Sequence, residues 1–448
     1  MSQLTRREML TGGLAGAALL AGTGSLLTSR LALAGSGGDS RFVFVILRGA
    51  LDGLTAVPPI GDPAYAGLRG EIAVAAPGTD GGALRLDGTF GLHPSLAFMS
   101  ELWQARQLTV LHAVASPYRE RSHFDGQDVL ESGYARAHAS DSGWLNRALI
   151  AVPVAAGGEH ARGAARPRNI GVALGANIPL VMRGPAEVAS WSPSQLSVLD
   201  DDTLQRVGDL YAHDPVLAQR LADALSSDAI AHSAQNAPPA AQSSPGAMAA
   251  NADANSDGTQ SAAQTTAQRV ERARQAYGAQ YAQTVKAAAS FLRRDDGPRV
   301  AVFDTIGWDT HANEGGSKGQ LAARLAALDG GLKVLRDSLG PVWDQTVVLI
   351  ATEFGRTAAI NGTRGTDHGT GAAAFLLGGA VRGGRVLADW PGLTPGALYE
   401  GRDLRPTTDI RSVMKSVLRD HLRIAAKHID SVVFPDSATA APFLRGLV

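Results

Sequence analysis

Arg41-Phe42-Val43-Phe44-Val45-Ile46-Leu47 is an almost unbroken apolar run that ends in Arg48-Gly49-Ala50-Leu51-Asp52-Gly53. A strand buried on both faces reads as a continuous run rather than an alternation, and the polar residues after it mark a loop. Working outward, similar runs recur at Leu108 to Val114, Val300 to Phe303 and Thr346 to Ala351. Helical patterns such as Ser95 to Ala105 and Gly319 to Ser338 fall between them. Strands alternating with helices predict an α/β fold with a mostly parallel central sheet sandwiched by helices. Polar residues follow each run: Asp52, then Ser116 to His123, then Asp304 to His311, then Glu353. Open α/β sheets bind ligands beyond the carboxyl ends of their strands, so these residues are expected at one end of one sheet.

The amino terminus reads differently. Thr5-Arg6-Arg7-Glu8-Met9-Leu10 precedes a weakly apolar stretch from Leu14 to Leu33, broken by glycines and by Arg30, and Ala32-Leu33-Ala34 offers small residues to a signal peptidase. That order predicts a twin-arginine signal peptide over 1–34, cut before Gly35, with the twin-arginine translocase as partner and a periplasmic or extracellular destination. The stretch lacks the roughly 18 unbroken apolar residues of a spanning helix, so no permanent anchor is expected. Residues 35–448 remain, enough for one large domain. Within it, 200–295 reads as a helical excursion, and 235–266, rich in Ala, Gln, Ser, Asn and Pro, as a disordered loop.

Lysine and arginine total 41 against 42 acidic residues, a balance that does not invite nucleic acid. There is no cysteine, which excludes disulfides, thiolate metal sites, cysteine nucleophiles and a formylglycine made from cysteine. No Gly-x-Ser-x-Gly elbow, Walker loop or dinucleotide fingerprint follows the first strand.

Three clusters carry chemistry. In Gly307-Trp308-Asp309-Thr310-His311, Asp309 and His311 are two apart, so an extended chain turns both to one face, where a carboxylate and an imidazole suit zinc, manganese or iron. The bland reading is a capped helix start with a hydrogen-bonded histidine. In Thr366-Asp367-His368-Gly369, the glycine lets the backbone approach a ligand closely while Asp367 or His368 reaches it. With Asp52 and Glu353 these residues form an oxygen and nitrogen set large enough for one or two divalent ions. The third cluster, Ser116 to Asp128, offers Ser122 either as a nucleophile or simply as the cap of a helix. His123 joins it as a candidate catalytic group. Arg48, Arg119, Arg121 and Arg356 are either oxyanion clamps or structural ion-pair partners. His93 and His112 read as hydrogen-bonders in core or loop.

The twin-arginine start, Leu47-Arg48-Gly49-Ala50-Leu51-Asp52-Gly53-Leu54, Ser122-His123-Phe124-Asp125-Gly126-Gln127, Gly307-Trp308-Asp309-Thr310-His311, Glu353-Phe354-Gly355-Arg356-Thr357, Thr366-Asp367-His368-Gly369 and Leu376-Leu377-Gly378-Gly379 together resemble the bacterial family catalogued as domain of unknown function 1501. That family is related to the alkaline phosphatase and sulfatase superfamily. The resemblance implies an alkaline-phosphatase-like fold, a pair of divalent metals and a Ser or Thr nucleophile attacking phosphorus or sulfur. On that mapping Asp52 is the first-strand ligand, Ser122 the nucleophile, Asp309 and His311 a ligand pair, and His368 the late histidine ligand. Two departures stand out: Asp309 and His311 are spaced by two where the superfamily uses four, and Glu353-Phe354 replaces its late Asp-His. Asp367 or His123 is then the candidate to compensate for the missing imidazole. The resulting expectation is a metal-dependent hydrolase of small anionic phosphate or sulfate esters, with a non-catalytic binding or assembly protein as the alternative.

Overall fold

The structure is a computed structural model describing residues 39–153, 170–175, 177–193, 216, 217, 219 and 281–448. The expected signal peptide, and the excursion over 200–295 apart from 216, 217, 219 and 281–295, lie outside the described residues.

The strands are β1 (Arg41–Arg48), β2 (Leu84–Arg85), β3 (Gly91–Leu92), β4 (Leu108–Ala115), β5 (Gly171–Leu174), β6 (Val188–Trp191), β7 (Val300–Ile306), β8 (Thr346–Thr352), β9 (Ala372–Leu377), β10 (Arg385–Leu387) and β11 (Thr408–Asp409). Nine of them form one sheet in the order β10-β4-β9-β8-β1-β7-β5-β6, with β11 also on β4. Every pairing is parallel except those of β9, which runs antiparallel between β4 and β8. Phe42 pairs with Val300 on one side and Val347 on the other, so β1 sits centrally with its polar end flanked by the ends of β7 and β8.

Among the described residues, the helices beside the sheet include α1 (Gly53–Ala56), α2 (Tyr65–Arg69), α3 (Ala97–Gln104), α4 (His123–Ser132), α5 (Trp144–Leu149), α6 (Gln320–Leu339) and α7 (Ile410–Asp420). Successive residues of β1 face opposite layers, as the pleat requires. Val43, Val45 and Leu47 pack with Met99 and Leu102 of α3 and Leu325, Leu328 and Leu332 of α6. Phe42, Phe44 and Ile46 pack with Trp144 and Leu145 of α5 and Val413 and Val417 of α7. This two-sided burial is why Phe42–Leu47 tolerates no polar residue. A Phe44→Ala truncation in such a layer costs about 3–5 kcal/mol.

The mostly parallel sheet between helices agrees with the expectation from sequence; the runs expected as β1, β4 and β8 and the helices α3 and α6 form within two residues of their expected bounds, and β7 continues three residues beyond Phe303. Because β9 is reversed, its first residue, Ala372, lies at the same edge as the last residues of β1, β4, β7 and β8. That reversal delivers His368, four residues upstream of β9, to the carboxyl edge where Asp309 and His123 already stand.

Candidate metal centre

Four segments meet at that edge. The loop after β7 carries Asp309 and His311, the start of α4 carries His123, the turn after β8 carries Glu353 and Arg356, and the approach to β9 carries Asp367 and His368. A backbone bridge between Arg356 and His368 pins the last two together. Gly369 makes that bridge possible, since a Cβ there would lie 2.4 Å from the carbonyl carbon and oxygen of Arg356. The close approach expected at this glycine is thus to protein backbone.

At the centre lies His368. Its Nε2 is 2.9 Å from Nε2 of His123 and 2.9 Å from Nε2 of His311. The Asp309 carboxylate closes the group: Oδ1 is 3.0 Å from His311 Nε2 and 3.3 Å from His368 Nε2, and Oδ2 is 3.5 Å from His123 Nε2. For a tetrahedral ion with bonds of 2.0–2.1 Å, ligand atoms stand about 3.3 Å apart. His123, Asp309 and His368 have the spacing of a first coordination shell, and His311 adjoins them through His368 and Asp309.

The other ring nitrogens decide the protonation. His123 Nδ1 faces Glu353 Oε1 at 2.8 Å, His311 Nδ1 faces Asp367 Oδ1 at 3.1 Å, and His368 Nδ1 faces the Arg121 carbonyl at 3.0 Å. A carbonyl only accepts, so His368 Nδ1 carries the proton. Burial works against the Glu353 charge, yet hydrogen bonds from His123, Gln127 and the Gly49 N–H hold its pKa below the usual carboxylate range. Asp367 is also held below its usual value, first by the Asn361 amide and then by His311. Both are therefore ionised acceptors near neutrality, and each faces the Nδ1 of its ring, so that Nε2 is the atom turned to the cluster. A single divalent cation could take His123, His368 and the Asp309 carboxylate together, with His311 beside them, and an imidazole held from behind by a carboxylate or carbonyl is the usual build of a metal-bound histidine.

The electrostatics suit that reading. Burial, then the positive charge of His123 and Arg356, lowers the pKa of His368 and keeps its lone pair free. The Glu353 hydrogen bond raises that of His123 despite burial. Burial opposes the charge on Asp309, but the Arg356 guanidinium, donating from Nη1 to Oδ1 at 2.5 Å, holds its carboxyl below the usual range. Arg356 itself is 1% exposed and gives its remaining bonds to Thr366. It fixes Asp309 from inside the fold and presents no surface to a ligand.

Other expected site residues are placed elsewhere. Asp52 is the N-cap of α1, accepting from Leu54 N and Thr55 N, and its second oxygen is paired with Arg69 in a sealed network with Glu314. Arg48 pairs with Glu131 and Asp304. Arg119 donates to the carbonyls of Ser116 and Tyr118, and Arg121 to Asp403 and Glu400. Glu353 and Asp367 stand behind the imidazoles. Ser122 occupies the N-cap position of α4 without a side-chain capping bond, while its N–H donates to Tyr118 Oη at 3.0 Å. His93 and His112 bond to the carbonyls of Gly316 and Val57. Sequence reasoning passed over Gln127, Asn361, Arg69 and Glu314, which carry no local pattern of their own.

A model of the family described as "Protein of unknown function (DUF1501)" matches residues 39–433. The chain belongs to the DUF1501 family. The match spans every DUF1501 residue named in the cluster, from His123 to His368. No curated protein matches the chain. Among solved structures, one described as "Crystal structure of Ps i-CgsB in complex with k-i-k-neocarrahexaose" matches at 10% identity and a TM-score of 0.35, covering 90% of this chain and 77% of that one. A likeness at that level fixes neither function nor substrate for this DUF1501 member.

Proposed function

We propose that this protein is an exported, metal-dependent hydrolase of phosphate or sulfate esters, with one divalent transition-metal ion held by His123, His311, His368 and Asp309. One observation carries the reading: His123, Asp309 and His368 each turn a ligand atom to within 4.8 Å of the others, with His311 Nε2 2.9 Å from His368 Nε2 and each ring's Nδ1 facing an acceptor. Zinc, manganese and iron all suit such nitrogen and oxygen donors. When bound, the ion supplies a Lewis acid and an acidified water. Glu353, Asp367 and the Arg121 carbonyl orient the three rings. Arg356, as a fixed cation on Asp309, fills the side of that carboxylate where a second ion would compete, which favours one metal over two. Ser122, one residue before His123 and without a capping role, is our candidate nucleophile, at a helix start whose N–H groups favour an anion. The resemblance of the sequence motifs to the alkaline phosphatase and sulfatase superfamily, which would put Ser122 in the nucleophile's place, supports the same chemistry. The Arg6-Arg7 signal supports export by the twin-arginine translocase to the periplasm or beyond.

The alternative is a non-catalytic binding or assembly protein. It is favoured by the internal engagement of Arg48, Arg119, Arg121 and Arg356, which leaves the expected oxyanion clamps committed to protein acceptors. Elemental analysis of the mature protein tests the centre: close to one transition metal per chain is expected, falling in Asp309→Ala and His368→Ala. A metal-free wild type after reconstitution overturns the reading. Ser122→Ala is expected to retain metal and lose turnover of aryl phosphates and sulfates; unchanged turnover removes Ser122 from the role.

A further inference from the structure

A cleft of about 530 Å³ lies beside this centre, lined among others by Arg48, Phe124, Gln127, Asp128, Asn177 and Asp304. It is coupled to the metal-ligating residues through α4. Phe124 directly follows His123, and Gln127, one turn on, donates to Glu353 Oε1 at 3.1 Å, the same oxygen that holds His123 Nδ1. We propose that this cleft binds the alcohol portion of the substrate, and that this portion is an uncharged sugar or polyol.

The argument is one of chemistry and charge. The volume falls within the 300–1,000 Å³ of ordinary ligand sites and accommodates a sugar ring with space around it. Phe124 is 86% exposed, an unusual position for a large aromatic, and it offers an apolar platform for the C–H face of a ring. Around it the donors and acceptors are those that take hydroxyl groups. Arg48 uses Nε on Asp304 and Nη1 on Gln127 and Glu131, and its Nη2 is uncommitted among the described residues. Asp128 and Asp304 supply carboxylate oxygens, and Asn177 an exposed amide. The cleft's charged lining sets Arg48 and Arg183 against Asp128, Glu131 and Asp304, with Arg48 already paired to two of the three acids. Such a wall repels a second anionic group, which disfavours nucleotides and polyphosphates. Its charged side chains would be stripped of water by an aliphatic tail at a cost of several kcal/mol, which disfavours lipids. A neutral, many-hydroxyl ligand meets neither penalty.

This inference rests on the hydrolase reading for its place in the reaction, yet its test does not depend on turnover. Saturation-transfer NMR on the full mature chain would use methyl hexopyranosides as probes, with the metal supplied and again after chelation. Methyl glycosides are expected to bind in both conditions, because the cleft lies outside the ligand set, and Phe124→Ala is expected to weaken binding about fivefold without loss of metal or of the folded far-ultraviolet spectrum. Absence of glycoside binding, an unchanged affinity in Phe124→Ala, or tighter binding of adenosine monophosphate or an octyl chain competing for the same cleft would overturn the proposal. Hydrolysis of aryl esters without glycoside binding sinks this inference alone. Glycoside binding in a metal-loaded protein that hydrolyses no ester supports the cleft and sinks the hydrolase reading.

Discussion

Glu353→Gln isolates the charge behind His123. Oε1 of Glu353 accepts from His123 Nδ1 at 2.8 Å, from Gly49 N at 2.8 Å and from Gln127 Nε2 at 3.1 Å, while Oε2 meets Thr352 Oγ1 at 2.9 Å. A glutamine keeps the first oxygen and its three donors. Its NH2 group then faces Thr352 Oγ1, whose own hydrogen has the Leu47 carbonyl 2.7 Å away. Every partner stays satisfied, so the fold should lose no more than about 1 kcal/mol. The loss falls on the metal. Without the carboxylate charge, His123 is a poorer donor and less firmly oriented, and removing such a partner typically weakens metal binding about 10–100-fold, or about 1.4–2.7 kcal/mol. The assay is zinc titration against a chromophoric chelator at pH 8, with urea unfolding as the control for stability. Wild-type affinity in a folded variant would refute the argument, because His123 would then owe nothing to Glu353 and its Nε2 would not be a ligand.

Two further perturbations probe the scaffold. His112 and His421 are buried against the Val57 and Arg41 carbonyls, and burial pushes each pKa down to about 4. Each is neutral when folded but takes a proton in the unfolded chain below about 6.5, so stability is complete above that pH and is lost as pH falls toward 4, by up to about 3 kcal/mol per residue; urea midpoints at pH 7.5 and 4.5 measure the loss, and equal midpoints contradict it. In the sealed network beside α1, burial and the Asp52 charge push Glu314 up to about 8, so it is protonated at pH 7 and Glu314→Gln should cost about 1 kcal/mol or less. Arg69→Met strands the Asp52 charge and should cost about 3–5 kcal/mol in the same unfolding experiment, and the opposite ranking would overturn this assignment of charge.

What the sequence made legible follows from what a local pattern records. A continuous apolar run reports burial on both faces, so β1, β4, β7 and β8 were readable, and the ligand-bearing loops followed from where those runs stop. The direction of β9 was not, because Ala372–Leu377 is equally apolar either way round and its reversal is set by pairing with β4 and β8. The four-residue β5 and β6 are too short to carry a period.

The roles of the acids and histidines were harder to read for a different reason. Asp52, Asp309, Glu353 and Asp367 are all carboxylates at the ends of strands or in the loops beside them, and nothing local separates a ligand from the group that holds a ligand in place. The distinction lies in what each faces. Asp52 meets the buried Arg69, which consumes its charge; Glu353 meets an Nδ1, which makes it an anchor; Asp309 meets Nε2 atoms, which makes it the carboxylate of the proposed ligand set. The same logic moves His123 from the expected catalytic group to the proposed ligand set, since its Nδ1 is held by Glu353 and its Nε2 points at His368. In the proposed centre His123 supplies an imidazole and Glu353 holds it from behind.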